Sequence, residues 1–235
     1  MPTPMDAHLE NTIRRFYAGH LADRGGALDD PRSLGWTSRE RQEARFEALC
    51  ACAGVTAAPD GARTWVTTDG DGNPLPWAAP EPCPSASVLD AGCGFGDLYG
   101  WLRARGSRAP YRGADLVPEM AEGARTKWPD AAIDLGDPSA LYPEKSFDWV
   151  LASGYVCVYA GQARVAHLRS TAAALLALSR VGTAFNLLDA RALVQEGALL
   201  TYLPDEALAA CHGLAPRVEI VMGYLDNDFT VVLRR

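Results

Sequence analysis

From residue 87 to the C-terminus, short apolar runs alternate with segments of helical periodicity. The runs are SVLDAG at 87–92, YRGADL at 111–116, AAIDLG at 131–136, FDWVLASG at 147–154 and VGTAFNLLD at 181–189. Strands that alternate with helices favour a mostly parallel sheet that is covered on both faces. The closing stretch VEIVMGYLDNDFTVVLRR places two β-rich runs around a polar turn, which predicts an antiparallel hairpin. The sequence therefore predicts a doubly wound α/β fold with a mostly parallel seven-stranded sheet that ends in an antiparallel hairpin.

Residues 1–86 do not follow this pattern. Residues 1–56 have helical periodicity, with a helix start at Thr37–Glu40, whereas residues 57–86 are rich in Pro, Gly and Asp and read as a loop with a short hairpin. The DGDGN in this loop is no calcium loop, because Pro74 and Pro80 stand where an EF-hand needs Gly and Glu. We expect an N-terminal helical cap with its loop at 1–86, and an α/β core at 87–235.

Composition excludes several classes of protein. The formal charge is −7 and the basic residues are scattered, which argues against a nucleic-acid substrate. The sequence shows no signal peptide and no run of about eighteen apolar residues, so we expect a cytoplasmic protein without a membrane span. The six cysteines lack paired CxxC spacing, so no metal site is expected. The oligomeric state is left open.

The stretch 88-VLDAGCGFGDLYGWL-102 places glycines directly after the first apolar run. Its spacing is Asp90-x-Gly92-x-Gly94-x-Gly96, and Asp97 stands where a dinucleotide fingerprint needs its third glycine. Asp90 would repel a pyrophosphate but suits a ligand that carries positive charge. These two features argue against a nicotinamide-dependent oxidoreductase and favour S-adenosylmethionine, which carries an ammonium and a sulfonium group.

The segment DAGCGFG resembles the E/DxGxGxG motif of the class I S-adenosylmethionine-dependent methyltransferases. The resemblance covers 87–189 by motif and implies a Rossmann-like fold with S-adenosylmethionine as cofactor. It also implies that Asp115 binds the ribose hydroxyls, that Asp137 contacts the adenine amino group, and that 147–159 passes under the methionine part. The cofactor-binding residues predicted in this way are Asp90, Ala91, Gly92, Cys93, Gly94, Gly96, Asp97, Asp115, Leu116, Met120, Gly136, Asp137, Pro138, Ala152, Ser153 and Gly154.

A second resemblance concerns the N-terminal helices. The segments 34-LGWTSRERQEARFEAL-49 and 224-YLDNDFTVVL-233 resemble a group of bacterial methyltransferases of uncertain substrate, whose N-terminal helices fold over the cofactor. This resemblance makes Tyr17, Trp36 and Gln42 candidate lid contacts. Helix core for Trp36 and a solvated face for Gln42 are the alternatives.

The predicted acceptor pocket follows the fourth strand of the core. Ala152–Tyr155 contains neither the proline pair of amino methyltransferases that act on DNA bases or glutamine nor a Pro-Cys nucleophile. We therefore predict transfer to an O or N nucleophile of a small molecule, in specialised metabolism, and a C nucleophile stays open. The predicted substrate contacts are Tyr155, Cys157, Tyr159 and Asn186.

No general base is assigned. His20 in the cap is the candidate base, and His167 is interpreted as structural. The main contribution of an enzyme to methyl transfer is to align the reactants and to exclude water, so a base is not obligatory. Aminopropyl transfer and a non-catalytic protein that binds S-adenosylmethionine remain as alternatives.

Overall fold

The fold is taken from a computed structural model, which describes residues 7–56, 64–76, 78, 80–158, 163–192 and 199–235. The helices are α1 (Ala7–Asp23), α2 (Arg39–Cys52), α3 (Asp97–Ala104), α4 (Pro118–Lys127), α5 (Pro138–Leu141), α6 (Arg164–Leu178) and α7 (Pro204–Cys211). The strands are β1 (Thr64–Asp69), β2 (Val88–Ala91), β3 (Tyr111–Asp115), β4 (Ala132–Leu135), β5 (Phe147–Ala152), β6 (Ser179–Asp189), β7 (Thr201–Tyr202), β8 (Arg217–Met222) and β9 (Asp228–Arg234). A short 3-10 helix, Pro31–Leu34, lies between α1 and α2.

The strands form one mixed sheet in the order β1-β8-β9-β6-β5-β2-β3-β4, and β7 pairs with β6. The pairs β2–β3, β3–β4, β2–β5 and β5–β6 are parallel, whereas β6–β9 and β8–β9 are antiparallel. The predicted α/β fold with its terminal hairpin is therefore confirmed. The strand order reverses between β2 and β5, and ligands of such sheets bind beyond the carboxyl ends of the strands at this point.

Helices cover both faces of the sheet. On one face, Phe46 and Leu49 of α2 and Leu102 of α3 share a buried cluster with Val88 and Trp149 of the sheet. On the other face, α6 and α7 pack on β5, β6, β8 and β9 in a second buried cluster. Because α2 is buried against the sheet, it belongs to the core layer and not only to a cap.

The first helix and the 3-10 helix lie at the carboxyl edge of the sheet. Ile13, Tyr17 and Leu34 pack against a small buried cluster that contains Phe95 and Met120. This packing fixes the N-terminal segment next to the glycine loop, where a ligand-binding crevice is expected.

The sheet differs from the prediction in two short strands. Seven strands form the predicted core, but the described residues add β1, which pairs with β8, and β7, which pairs with β6. The expected hairpin after β1 is reduced to one bridge, Thr68 to Pro74. The helix predicted over 164–180 ends at Leu178, because Ser179 already pairs with Phe147 as the first residue of β6. Within the described part of the chain, no helix has the length and apolar character needed to span a bilayer.

Candidate functional site

A cavity of about 770 Å³ opens at the carboxyl ends of β2, β3 and β5. Its volume lies within the range of small-molecule sites, about 300 to 1,000 Å³. The glycine loop and the strand ends form its floor, α1 and the 3-10 helix contribute its roof, and α6 contributes a side wall. The predicted residues that line it are Asp90, Gly92, Cys93, Gly94, Asp97, Asp115, Leu116, Met120, Asp137, Pro138, Ser153, Gly154, Tyr155, Tyr17, Trp36 and Gln42.

Asp115 anchors the glycine loop at the end of β3. Its Oδ2 accepts a hydrogen bond from the Gly94 amide at 2.8 Å, and its Oδ1 accepts one from the Val117 amide at 2.9 Å. Burial raises the pKa of the Asp115 carboxyl to about 6, against the opposing effect of these backbone donors. Since each carboxylate oxygen can accept a second bond, Asp115 has the capacity to bind a pair of neighbouring hydroxyls.

Asp90 is the second buried acid on the cavity wall. It is 3% exposed, and the Tyr111 hydroxyl donates to its Oδ2 at 2.7 Å. Burial raises the pKa of the Asp90 carboxyl to about 7, and the nearby charges of Asp115 and Asp97 act in the same direction. Within the described part of the chain, no Lys or Arg forms an ion pair with Asp90, so a ligand cation beside it would be stabilised.

Asp97 begins α3 and is held by three side chains from elsewhere in the chain. Lys127 donates to Oδ1 at 2.7 Å, Gln42 donates to Oδ2 at 3.0 Å, and Arg39 lies 3.5 Å from Oδ1. Gln42 therefore binds Asp97 and is buried, which excludes the alternative of a solvated face.

The glycine at position 92 lets the loop pass close to the next segment. Gly92 has a φ of +70°, and a Cβ placed there would lie 2.7 Å from the Tyr155 ring. Only glycine adopts this backbone without strain and without displacing Tyr155. The loop thus keeps the cavity floor open beside Tyr155.

The segment after β5 meets the roof of the cavity. The Tyr17 hydroxyl donates to the Gly154 carbonyl at 3.3 Å, and a Cβ at Gly154 would lie 3.0 Å from the Trp36 ring. The guanidinium of Arg45 stacks on Trp36, 4.6 Å from the centre of a ring. The Ser153 hydroxyl is buried on the cavity wall and has no hydrogen-bond partner among the described residues. An unpaired buried hydroxyl is costly, so Ser153 points to a ligand that completes its bonding.

Asp137 closes the cavity beyond β4. Its Oδ1 accepts a hydrogen bond from the Ser139 amide at 2.9 Å and so caps α5. The turn interpretation of Asp137–Pro138 and a ligand contact are compatible, because both residues also line the cavity.

Several predicted residues do not line the cavity within the part of the chain that the structure describes. Ala91, Gly96, Gly136 and Ala152 belong to the same strand ends and loops but are not among the residues that line the cavity. Tyr159 lies outside the described residues.

Two predicted substrate contacts do not reach the cavity wall either. Asn186 donates to the hydroxyls of Tyr224 and Thr230 inside the sheet. Cys157 does not line the cavity, but its Sγ lies 3.5 Å from the Tyr17 hydroxyl.

The structure places His20, the candidate base, and His167, which was interpreted as structural, contrary to expectation. His20 packs its ring on Phe16 at 4.6 Å and does not line the cavity, whereas His167 on α6 does. Burial lowers the pKa of the His167 imidazole. The packing of α6 on the sheet places His167 on the cavity wall.

The cavity thus combines a glycine loop, two buried carboxyls at successive strand ends and an unpaired serine hydroxyl. This combination defines a Rossmann-like site for a nucleoside ligand that carries positive charge, and it fits S-adenosylmethionine. Within the described residues, no group of three or more potential ligands could hold a metal ion.

Comparison with known proteins agrees with this site. Residues 88–177 match the family model described as "Methyltransferase domain". This part of the chain belongs to the class I S-adenosylmethionine-dependent methyltransferases.

Two curated relatives are similar in sequence over part of the chain. A Mycobacterium tuberculosis protein named as a candidate methyltransferase, Rv1506c, is 34% identical over 105 residues, which are 43% of this chain and 63% of the relative. Trans-aconitate 2-methyltransferase of Methylobacterium nodulans is 37% identical over 79 residues, 34% of this chain and 29% of the relative. The matched region therefore spans less than two thirds of either relative.

A solved structure resembles nearly the whole fold. Magnesium protoporphyrin IX methyltransferase from Synechocystis PCC 6803, solved with bound S-adenosylmethionine, superimposes with a TM-score of 0.62 at 14% identity. The superposition covers 99% of this chain and 100% of that chain. At this identity the similarity establishes the fold.

Proposed function

We propose that the protein transfers a methyl group from S-adenosylmethionine to an O or N nucleophile of a small molecule. The observation that carries the proposal is the pair of buried acids, Asp90 and Asp115, at the ends of β2 and β3 beside the glycine loop. The family match over 88–177 supports the same chemistry.

Different residues of the cavity would contact different parts of S-adenosylmethionine. Asp115 would accept hydrogen bonds from the two ribose hydroxyls, and Asp90 would face the ammonium group of the methionine part. Asp137 would lie at the adenine end, in line with the resemblance, and Met120 would be a further cofactor contact. Ser153 would complete the hydrogen bonding of its hydroxyl with the methionine part.

The bound cofactor would supply an electrophilic methyl group. The chain's own contribution would be to align the acceptor with this group and to exclude water. Tyr17, Trp36 and Leu34 roof the cavity from the N-terminal segment, and Tyr17 is tied to Gly154 at 3.3 Å. These contacts support the proposed role of the N-terminal segment as a lid. The division into a cap at 1–86 and a core at 87–235 belongs to the same proposal, although α2 and β1 also pack into the core.

The acceptor is not identified by the relatives. The name of the Methylobacterium relative says what that protein methylates, and the match covers only 79 residues. A role in specialised metabolism and a cytoplasmic location stay predictions.

A non-catalytic protein that binds S-adenosylmethionine is the alternative. It would keep the same cofactor contacts and would form no S-adenosylhomocysteine with any acceptor. The cavity favours catalysis, because its α6 wall extends beyond the cofactor residues and leaves room for a second molecule.

The first experiment measures binding of S-adenosylhomocysteine by calorimetry. We expect micromolar affinity and a loss of at least tenfold in Asp115→Ala, because charge-assisted hydrogen bonds contribute about 1.5 to 3 kcal/mol each. Asp130→Ala, which removes an exposed acid away from the cavity, is the control and should bind as the parent does. The proposal fails if the parent protein does not bind the ligand.

Turnover is tested separately. The protein is incubated with S-adenosylmethionine and a broad library of alcohols, phenols and amines, and the formation of S-adenosylhomocysteine is measured. Tight binding without product from any acceptor would favour the non-catalytic alternative.

A further inference from the structure

The α6 wall of the cavity differs in chemistry from the floor. The acidic lining residues, Asp90, Asp97, Asp115 and Asp137, all lie at the strand ends or in the loops that follow them. The α6 wall instead presents the small or weakly polar side chains Ala166, His167, Ser170, Thr171 and Ala174, together with the apolar Leu175. It is therefore the part of the cavity that the proposed donor leaves for a second ligand.

No Lys or Arg side chain lines this cavity within the described residues, and of its two imidazoles only His167 belongs to α6, whereas His8 lies on α1. Residues 159–162, which follow the lining residue Val158 in the sequence, are Tyr, Ala, Gly and Gln and contain no Lys or Arg.

The two arginines of α6 are directed to the neighbouring helix α7. Arg164 donates to Glu206 at 2.7 Å, and Arg169 donates to the Ala210 carbonyl at 2.8 Å. Their charges are thus engaged away from the cavity.

The cations behind the floor and the roof are engaged as well. Lys127 binds Asp97 at 2.7 Å, and Arg45 binds Asp228 at 2.6 Å. If Arg45 turned to a ligand, the buried Asp228 would lose its ion pair, and if Lys127 did so, the buried Asp97 would keep only Gln42 and the longer Arg39 contact.

The imidazole of His167 does not replace these cations. Burial lowers its pKa, so it is a neutral hydrogen-bonding group at neutral pH. The polar groups that the α6 wall offers are this imidazole and the hydroxyls of Ser170 and Thr171. All three can bind a hydroxyl, an amine or an amide, and none carries a compensating positive charge.

We propose that the α6 wall is an acceptor subsite that selects uncharged molecules with an apolar body and rejects carboxylates. A carboxylate here would lose water without gaining a cationic partner, and the acids of the floor would repel it. This inference rests on the proposed function, because the donor must occupy the floor for the α6 wall to face an acceptor.

The test uses ligand-observed NMR at pH 8 on the protein saturated with S-adenosylhomocysteine. The probes are matched pairs of aromatic and aliphatic fragments, each pair consisting of a primary amide and the corresponding carboxylate. We expect amide members to bind, and to bind at least tenfold more tightly than their carboxylate partners.

A gain-of-function variant addresses the cause of the selection. Ser170→Arg places a cation on the α6 wall and should raise carboxylate binding at least tenfold. Val165→Arg is the control, since Val165 is exposed on the same helix but does not line the cavity. This variant should prefer amides over carboxylates to the same degree as the parent protein.

The outcomes separate this inference from the function on which it rests. Carboxylates that bind as tightly as their amides to the parent protein overturn the inference, as does a library in which no amide binds. Failure to bind S-adenosylhomocysteine at all would instead count against the proposed function. If Ser170→Arg does not fold, the comparison in the parent protein decides alone.

Discussion

Arg45 of α2 and Asp228 of β9 form a buried ion pair with an N–O distance of 2.6 Å. The two side chains are 6% and 1% exposed, and the Tyr224 hydroxyl donates to the other oxygen of Asp228. Since Arg45 also stacks on Trp36, the pair connects the C-terminal hairpin to the roof of the cavity.

The first prediction concerns the stability that depends on this pair. Asp228→Asn leaves the Arg45 charge buried without its partner, and breaking a buried pair in this way costs about 3 to 5 kcal/mol. Urea unfolding followed by circular dichroism measures the change. Asp226→Asn is the control, because its pair with Arg41 is exposed and contributes about 1 kcal/mol or less. Equal losses of unfolding free energy in the two variants would contradict the prediction that the buried pair contributes more than the exposed pair.

The second prediction tests Trp36 as a lid contact. Trp36→Ala removes the ring that lies over Gly154 and should weaken S-adenosylhomocysteine binding about tenfold, or about 1.4 kcal/mol. Trp36→Phe keeps an aromatic ring there and should recover most of the affinity. Calorimetry at pH 8 compares the three proteins. Unchanged affinity in Trp36→Ala would assign Trp36 to packing alone.

The third prediction compares two glycines with similar backbone angles. Gly92 and Gly106 have φ values of +70° and +76°, but a Cβ at Gly92 would meet Tyr155 at 2.7 Å whereas a Cβ at Gly106 meets nothing within 4 Å. Gly106→Ala should cost about 1 kcal/mol of unfolding free energy from backbone strain and leave ligand binding intact. Gly92→Ala should cost more and also weaken S-adenosylhomocysteine binding, because it displaces Tyr155 into the cavity. Thermal unfolding measures the stability of both variants, and calorimetry measures their binding of S-adenosylhomocysteine. Unchanged binding in Gly92→Ala would contradict the prediction.

The sequence predicted the parts of this fold that depend on local pattern. The core strands and α3, α4, α6 and α7 follow from periodicity, and Asp90 and Asp115 were placed by their positions at strand ends. The pairing of β1 with β8 was missed because it joins residues about 150 positions apart, and the sequence predicted this segment only as a loop with a short hairpin.

Long-range contacts also explain why some predicted site residues do not line the cavity. Asn186 was expected in the pocket because it lies in a core strand, but its partner strand β9 places its amide on Tyr224 and Thr230. The Arg45–Asp228 pair has no local signal at all, since the two residues are 183 positions apart.

The last prediction is a pH dependence of cofactor affinity that arises at Asp90. Burial raises the pKa of its carboxyl to about 7, so the group is largely protonated at pH 6 in the folded protein without ligand. The ammonium group of S-adenosylhomocysteine is expected to bind the ionised form. Affinity should therefore rise with pH by up to about tenfold per unit below pH 7, and it should level off near pH 8. The pKa of Asp115 is about 6, so its ionisation adds to this rise mainly at the acidic end.

The Asp90→Asn variant separates the two acids. It keeps an acceptor for the Tyr111 hydroxyl but cannot ionise, so its affinity should be lower at pH 8 and nearly constant between pH 6.5 and 8. Calorimetry in buffers of different ionisation enthalpy gives a second readout, since binding to the parent protein near pH 7 should release a fraction of a proton and binding to the variant should release less. An affinity of the parent protein that is flat or falls between pH 6 and 8 would contradict the assignment of Asp90 to the ammonium group.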